Sequence, residues 1–348
     1  MNIGFFVRHF TERGTEIACY DYAHYNETIL GNKSYIICFT PDAQKLHGFP
    51  DIRYSYAKFQ TRFHIIEIRA IGDMCDVIQQ YNLDAFYTIT AGWPNDIYQF
   101  DNASIWGKCK TIKHCVFDTR IPDSDFPLTI SNELNREFNT SLTVIPHIVS
   151  LPHTDEDLRQ SLGIPREAIV FGRYGGYDEF DLLVAMEAIA EYILVNPNAY
   201  FLFMNTRPFY YHDRIIYLEK NLDLLYKTKF INTCDAMIHA RCRGETFGLS
   251  IGEFSVRNRP IITCKTGVEL EHIRILGDCA LLYESKEDLL RIFSNILQIK
   301  SGRENWRAYG IFTPEYVMGL FKTLVFDKIE STDNSAIIIP NSNILYGK

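Results

Sequence analysis

Short apolar runs alternate with longer amphipathic stretches along almost the whole chain. In the first half, runs at 2–7, 34–39, 64–68, 85–89 and 111–117 predict strands, with shorter ones at 128–131 and 142–145. Between them, 16–30 (ended by Gly31), 73–81 and a stretch running through Phe138 read as helices. The rhythm restarts after a Pro-bounded join at 146–165. Strands are predicted at 168–172, 200–204, 236–240, 261–263 and 280–283, and helices at 181–194, 213–226, 286–297 and 314–326. Continuous apolar runs separated by helices predict parallel strands covered on both faces. Two such units predict an α/β chain of two Rossmann-like, doubly wound domains, with a ligand cleft at the strand C-termini between them. The expected division is 1–150, 151–313, a helix at 314–327 and a polar tail at 328–348.

One segment concentrates the candidate chemistry. The run 236–240 leads into Arg243-Gly244-Glu245-Thr246-Phe247-Gly248-Leu249-Ser250-Ile251-Gly252-Glu253, and a second apolar run follows from Pro260. Two carboxylates stand eight positions apart in it. With a helix from Phe247 onward, Glu245 lies at the helix mouth and Glu253 about two turns along, roughly 12 Å away at 1.5 Å per residue. That spacing suits the two ends of an extended ligand, not a pair sharing one proton. The amides of Thr246, Phe247, Gly248 and Leu249 at the helix start form an anion site. The bland alternative is a helix with two surface glutamates.

This segment resembles the E-x7-E motif of retaining GT-B glycosyltransferases, the large family-4-like group. Arg259-Pro260-Ile261-Ile262-Thr263 resembles the strand that follows it there. The resemblance implies that Glu245 contacts the hydroxyls of a donor sugar and that Glu253 binds the nucleotide ribose. It implies the GT-B architecture for the two domains, and a last helix that crosses back to the first.

Further loops resemble family positions. Phe171-Gly172-Arg173-Tyr174-Gly175-Gly176-Tyr177-Asp178 is similar to a phosphate-facing "G-R-L-x-x-x-K-G" loop, with Gly172 and Arg173 matching and Asp178 where the family has lysine. Arg173, with Arg207 beyond the next strand, is then the expected source of positive charge, since guanidinium suits phosphate. A plain turn with a surface arginine is the alternative. At the N-terminus, His9 ends the first strand, and Gly14-Thr15-Glu16 resembles the family's "G-G-x-E" loop, with Arg13 at the first glycine. The same letters also read as a simple helix start. Pro146-His147-Ile148-Val149 resembles "P-N-G-V", with His147 and Ile148 as departures. The family's first-domain histidine has no clean counterpart: His114 sits inside an apolar run, and Asp118 and His9 are the other candidates. Asp123-Ser124-Asp125 reads as turn chemistry, and His272 as either exposed or near the nucleotide.

Composition narrows the reading. The chain has 348 residues, 47% hydrophobic and 14% aromatic, enough for two sizeable cores. A net charge of −8, from 43 acidic and 35 basic residues, argues against a nucleic-acid partner. No run of 18 apolar residues predicts a membrane span, and the N-terminus reads as a strand, not a signal peptide. Nine cysteines without a C-x-x-C suggest reduced, buried thiols and a cytoplasmic setting. Cys109, His114 and Cys115 lack a second cluster that would complete a metal site.

What the resemblance implies is a metal-independent, retaining hexosyl- or pentosyltransferase without a cofactor. Its donor substrate is a nucleotide-diphosphate sugar and its acceptor a glycan, lipid or protein hydroxyl. Peripheral membrane contact stays open. Two alternatives also stay open: a non-catalytic GT-B protein that binds a nucleotide sugar or glycan, and a nucleotide-sugar epimerase on the same fold.

Overall fold

The computed structural model describes residues 1–11, 14–46, 52–93 and 97–332. Seven strands, β1 (Asn2–Phe6), β2 (Lys33–Phe39), β3 (His64–Ile68), β4 (Ala85–Thr90), β5 (Lys110–Cys115), β6 (Phe126–Thr129) and β7 (Thr143–Val144), form one parallel sheet in the order β3-β2-β1-β4-β5-β6-β7. The next strands are β8 (Ile169–Tyr174), β9 (Ala199–Met204), β10 (Ile215–Leu218), β11 (Ala236–His239), β12 (Gly244–Glu245), β13 (Ile261–Cys264), β14 (Glu269–Leu270) and β15 (Ala280–Tyr283). Six of them build a second parallel sheet, β10-β9-β8-β11-β13-β15, while β12 and β14 pair on their own. Each sheet reverses its strand order once, at β1/β4 and at β8/β11. At such a switch point the flanking loops diverge and leave a crevice at the strand C-termini.

Strand periodicity explains how both faces are covered. Successive side chains point to opposite faces. In the first sheet Ile3, Phe5, Ile36 and Tyr87 face one core, while Phe6, Ile37 and Phe86 face another. In the second, Val170, Leu202 and Met237 join the same core as Ile3 and Phe5, while Phe171, Phe201 and Ile238 pack on the far side. One apolar core therefore runs through both lobes and carries the cleft above it.

Three sequence expectations need correction. The stretch 213–226 is not one helix: Ile215-Ile216-Tyr217-Leu218 pairs with β9 as a strand, and a helix runs over Leu224–Thr233 with Asp223 as its cap. The cap accepts from the amides of Leu225 and Tyr226, which starts the helix there. The helix after Glu245 begins at Leu249 and not at Phe247, because Gly248 adopts φ +83. That left-handed conformation suits glycine and stops a helix from starting earlier. The chain beyond Asp327 is helical as far as Thr332, and the rest of the tail lies outside the described residues.

The last helical segments, Pro314–Phe321 and onward to Thr332, lie against the first lobe. The Phe321 ring sits 5.1 Å from Tyr22, 5.9 Å from Tyr87 and 6.2 Å from His114. Among the described residues, no helix is long and apolar enough to cross a membrane. Phe321 is 2% exposed, so truncating it opens a cavity between lobe and tail. We expect Phe321→Ala to lose about 3–5 kcal/mol in urea denaturation, the usual range for a buried phenylalanine.

Candidate functional site

Between the lobes lies a cavity of about 600 Å³ lined from both sides. The segment holding Glu245 and Glu253 forms one wall. Gly244, with φ +79, lets β12 lie against β14: a Cβ there would stand 1.9 Å from the Glu269 carbonyl oxygen. Glu245 is thereby fixed at the C-terminal side of β11. Its carboxylate accepts from Arg241 Nη1 at 2.9 Å and lies 3.4 Å from His239 Nε2. Burial raises the Glu245 carboxyl, but the His239 hydrogen bond and the Arg241 charge outweigh it and bring it down to about 2. His239 Nδ1 meets the Thr263 hydroxyl at 2.9 Å, and the same hydroxyl meets His272 Nε2 at 3.1 Å. Burial, then the neighbouring His239, lowers His272 to about 3, so its ring stays neutral.

Glu253 lines the same cavity from the motif helix, Leu249–Val256. Lys227 Nζ holds it at 3.0 and 3.4 Å, and the Tyr174 hydroxyl donates to it. All three side chains are nearly enclosed. A carboxylate at this depth needs such partners, since an unpaired buried charge is costly.

The loop after β8 is braced from below. Arg173, 4% exposed, donates to Thr206 Oγ1 at 2.5 Å and to the Gly176 carbonyl at 2.9 Å. Burial lowers its guanidinium to about 10. The Gly176 amide donates to Glu179 at 3.1 Å, and Glu179 reaches Arg241 at 3.1 Å, linking this loop to Glu245. Gly175 and Gly176 line the cavity.

Several expected site residues stand elsewhere. Gly172 is a packing residue and does not line the cavity: a Cβ there would meet Cys234 Sγ at 2.2 Å. Arg207 does not line it either, and its Nε donates to Asp178 at 2.7 Å on the exposed rim. The positive charge expected from it is neutralised there. His9 is turned to the Gln44 side chain, 3.0 Å from its amide, and lies off the cavity. In the N-terminal loop Gly14 and Thr15 do line it, along with Glu16, which accepts from the Thr11 and Thr15 hydroxyls. Arg13, at the first glycine position of that loop, lies outside the described residues. Thr246, Phe247, Gly248 and Leu249 all line the cavity.

His114 is buried off the cavity with Nδ1 2.9 Å from the Tyr87 hydroxyl, and burial lowers it to about 4. Asp118 is held by Arg120. Asp123 and Asp125 accept from Lys113 and Thr111 as structural partners. Among the described residues, no three His, Cys, Asp or Glu side chains gather as a metal site.

The cavity also contains groups that sequence reasoning missed, Lys58, Lys220, Lys227, His239 and Arg241, and His147, which it named only as a departure from a resembled loop. His239 and Arg241 had a signal, since they end and follow the strand at a switch point, where ligand groups collect. Lys227 had none, because it lies on a helix that the pattern ended one residue earlier.

Comparison with solved structures agrees with this frame. HepE of Anabaena, in complex with UDP and glucose, is 14% identical over 95% of this chain and 100% of that one, with a TM-score of 0.68. A glycosyltransferase from Rickettsia africae is 16% identical over 96% and 99%, also at 0.68. A putative UDP-N-acetylglucosamine 2-epimerase from Listeria monocytogenes is 12% identical over 96% and 96%, at 0.54. No protein-family model and no curated protein matches the chain. At these identities the likeness is one of fold, and the fold is GT-B, as expected from the two doubly wound units.

Two outcomes follow from the charge pairing. Lys227→Met removes the ammonium hydrogen-bonded to Glu253 and leaves the Tyr174 hydroxyl as its hydrogen-bond donor, and we expect a loss of about 3–5 kcal/mol. Adding Glu253→Gln should restore much of it, with the coupling read from a double-mutant cycle in urea. Glu245 has a depressed carboxyl, so its stabilisation is present above about 4.5 and is lost as pH falls toward about 2. Glu245→Gln should therefore be less stable than wild type at pH 7, with the gap in urea midpoint closing over that acid window.

Proposed function

We propose that this protein is a metal-independent, retaining glycosyltransferase that takes its sugar from a nucleotide-diphosphate donor. The observation that carries the reading is that Glu245 and Glu253 open into one inter-lobe cavity from the two sides of the Gly248 turn. The GT-B fold, and UDP in its HepE neighbour, support a nucleotide in that cavity.

In this reading Glu253 accepts from the ribose hydroxyls, with Lys227 holding the carboxylate in place. Glu245, ionised at any physiological pH, accepts from the donor sugar hydroxyls. The amides where the motif helix begins, at 247–249, meet the diphosphate together with the helix dipole. Arg173 acts from beneath, by fixing the loop that carries Gly175. The acceptor oxygen bonds to the anomeric carbon as the bond to the β-phosphate oxygen breaks, on the face that the diphosphate leaves. The acceptor proton passes to the departing diphosphate. Preorganised donors at that leaving group lower the barrier without reorganising during the step. The acceptor, a glycan, lipid or protein hydroxyl, enters from the first lobe, past Thr11, Thr15 and Tyr20.

A second reading, binding without turnover, draws support from one feature. The loop position at which the resembled glycosyltransferase pattern carries lysine holds Asp178, already paired with Arg207. Slow release of free sugar from a bound donor separates the two readings.

A thermal-shift panel of UDP, ADP and GDP with their glucose or mannose conjugates tests the proposal, since a ligand of the native state raises its stability by mass action. We expect one nucleotide series to bind. Glu253→Ala should weaken it at least tenfold, and Glu245→Ala should leave nucleotide affinity intact while sugar release falls about a hundredfold, about 2.7 kcal/mol of barrier. Unchanged binding and unchanged release in both variants would overturn the assignment.

A further inference from the structure

The groups assigned above to the donor, Glu245, Glu253, Gly175 and the amides at 247–249, all belong to the second lobe. The first lobe faces them across the cavity, and Tyr20, Ser55 and Lys58 line it from that side. Ser55 and Lys58 stand three positions apart at the start of the helix Tyr56–Arg62, close enough to meet one ligand.

The cations of the second lobe are engaged. Lys227 is held by Glu253 at 3.0 Å, Arg241 by Glu245 at 2.9 Å and by Glu179 at 3.1 Å, and Arg173 by Thr206 and the Gly176 carbonyl. Lys58 differs. It makes no hydrogen bond and no ion pair with any described residue, and its Nζ rests 4.0 Å from the centroid of the Tyr20 ring. The face of a ring attracts a cation, but it does not replace the hydrogen bonds that three N–H groups lose on leaving water. The side chain is half-buried. Burial pulls its ammonium below the ordinary lysine value, Lys227 across the gap adds to this, and Asp21 and Glu253 oppose it. Asp21, on the helix Gly14–Thr28, is itself lifted to about 7, chiefly by burial, so it is a weak counter-ion at neutral pH.

Ser55 marks the same place independently. It is 6% exposed, its Oγ is buried without a hydrogen-bond partner, and it does not cap its own helix. Native structures rarely leave such a hydroxyl unpaired unless a ligand, ion or water completes it. An ammonium without a counter-ion and a hydroxyl without a partner, on the wall opposite the donor contacts, suit an oxygen anion.

We propose that the acceptor carries an acidic group, a phosphate or a carboxylate, close to the hydroxyl that receives the sugar, and that Lys58 and Ser55 hold it. This deepens the glycosyltransferase reading above and rests on it. The acid supplies the charge that Lys58 lacks, and it fixes the acceptor on the first lobe beside Tyr20. A neutral acceptor leaves the half-buried ammonium uncompensated, so the same pair of residues discriminates against it.

The test first saturates the full chain with whichever of UDP, ADP and GDP binds it, which fills the donor phosphate site. Dissociation constants for glucose, glucose 6-phosphate and glucuronate are then measured by titration calorimetry. We expect at least one of the two acids to bind at least tenfold more tightly than glucose, and the better of them identifies the anion. Lys58→Met should bring the acids to within about twofold of glucose while nucleotide affinity stays within about twofold of wild type. Lys58→Arg should keep most of the preference, and Ser55→Ala should reduce it about threefold. No preference in the wild type, or one that survives Lys58→Met, overturns the inference. So does a Lys58→Met variant that weakens the nucleotide as strongly as the acid, because the ammonium then serves the donor. These outcomes leave the glycosyltransferase reading standing. Failure of all three nucleotides to bind the wild-type protein, folded by circular dichroism, overturns that reading and this inference together.

Discussion

A buried carboxylate, Glu253, and a half-buried one, Glu245, face one cleft, and the requirement to balance their charge organises everything around them. Glu253 is met by Lys227 and the Tyr174 hydroxyl, and Glu245 by Arg241 and His239. Neither anion could sit at that depth alone. The partners come from different elements: the end of β8, the Leu224–Thr233 helix and the chain just past β11. Satisfying the charges therefore ties the second lobe's loops into one rigid wall. Arg241 extends the tie through Glu179 to the Gly176 amide, and Arg173 supports that loop from below.

The parallel topology explains why this wall stands where it does. In both sheets the order reverses beside the first strand, at β1/β4 and β8/β11. The loops after β1, β8 and β11 therefore open onto the crevice, and they bring Gly14, Gly175 and Arg241 to it. The shared core, with Phe321 pressed onto Tyr22 and Tyr87, holds the lobes against one another across that gap.

Much of this was legible along the chain. Buried parallel strands are apolar on both faces, so their positions stood out as runs. Glu245 and Glu253 stood out because their spacing and the Phe-Gly-Leu between them are local features. Where local pattern was ambiguous, the reading failed. The stretch 213–226 contains a short strand, but its Ile-Ile-Tyr-Leu is too brief to tell strand from helix without the partner β9 beside it. Arg207 has the right charge at the end of a strand, yet only the fold shows Asp178 neutralising it.

By itself the sequence determined the α/β class, the number of parallel units and the motif that carries two carboxylates, because these follow from period, run length and spacing between near neighbours. Only the tertiary structure decided which cations pair with those carboxylates, and that His147, not His114 or His9, opens onto the cavity. Lys227 is 26 positions from Glu253, and Tyr22 is 125 from His147. Contacts of that length depend on how sheets and helices pack, and no local pattern encodes them.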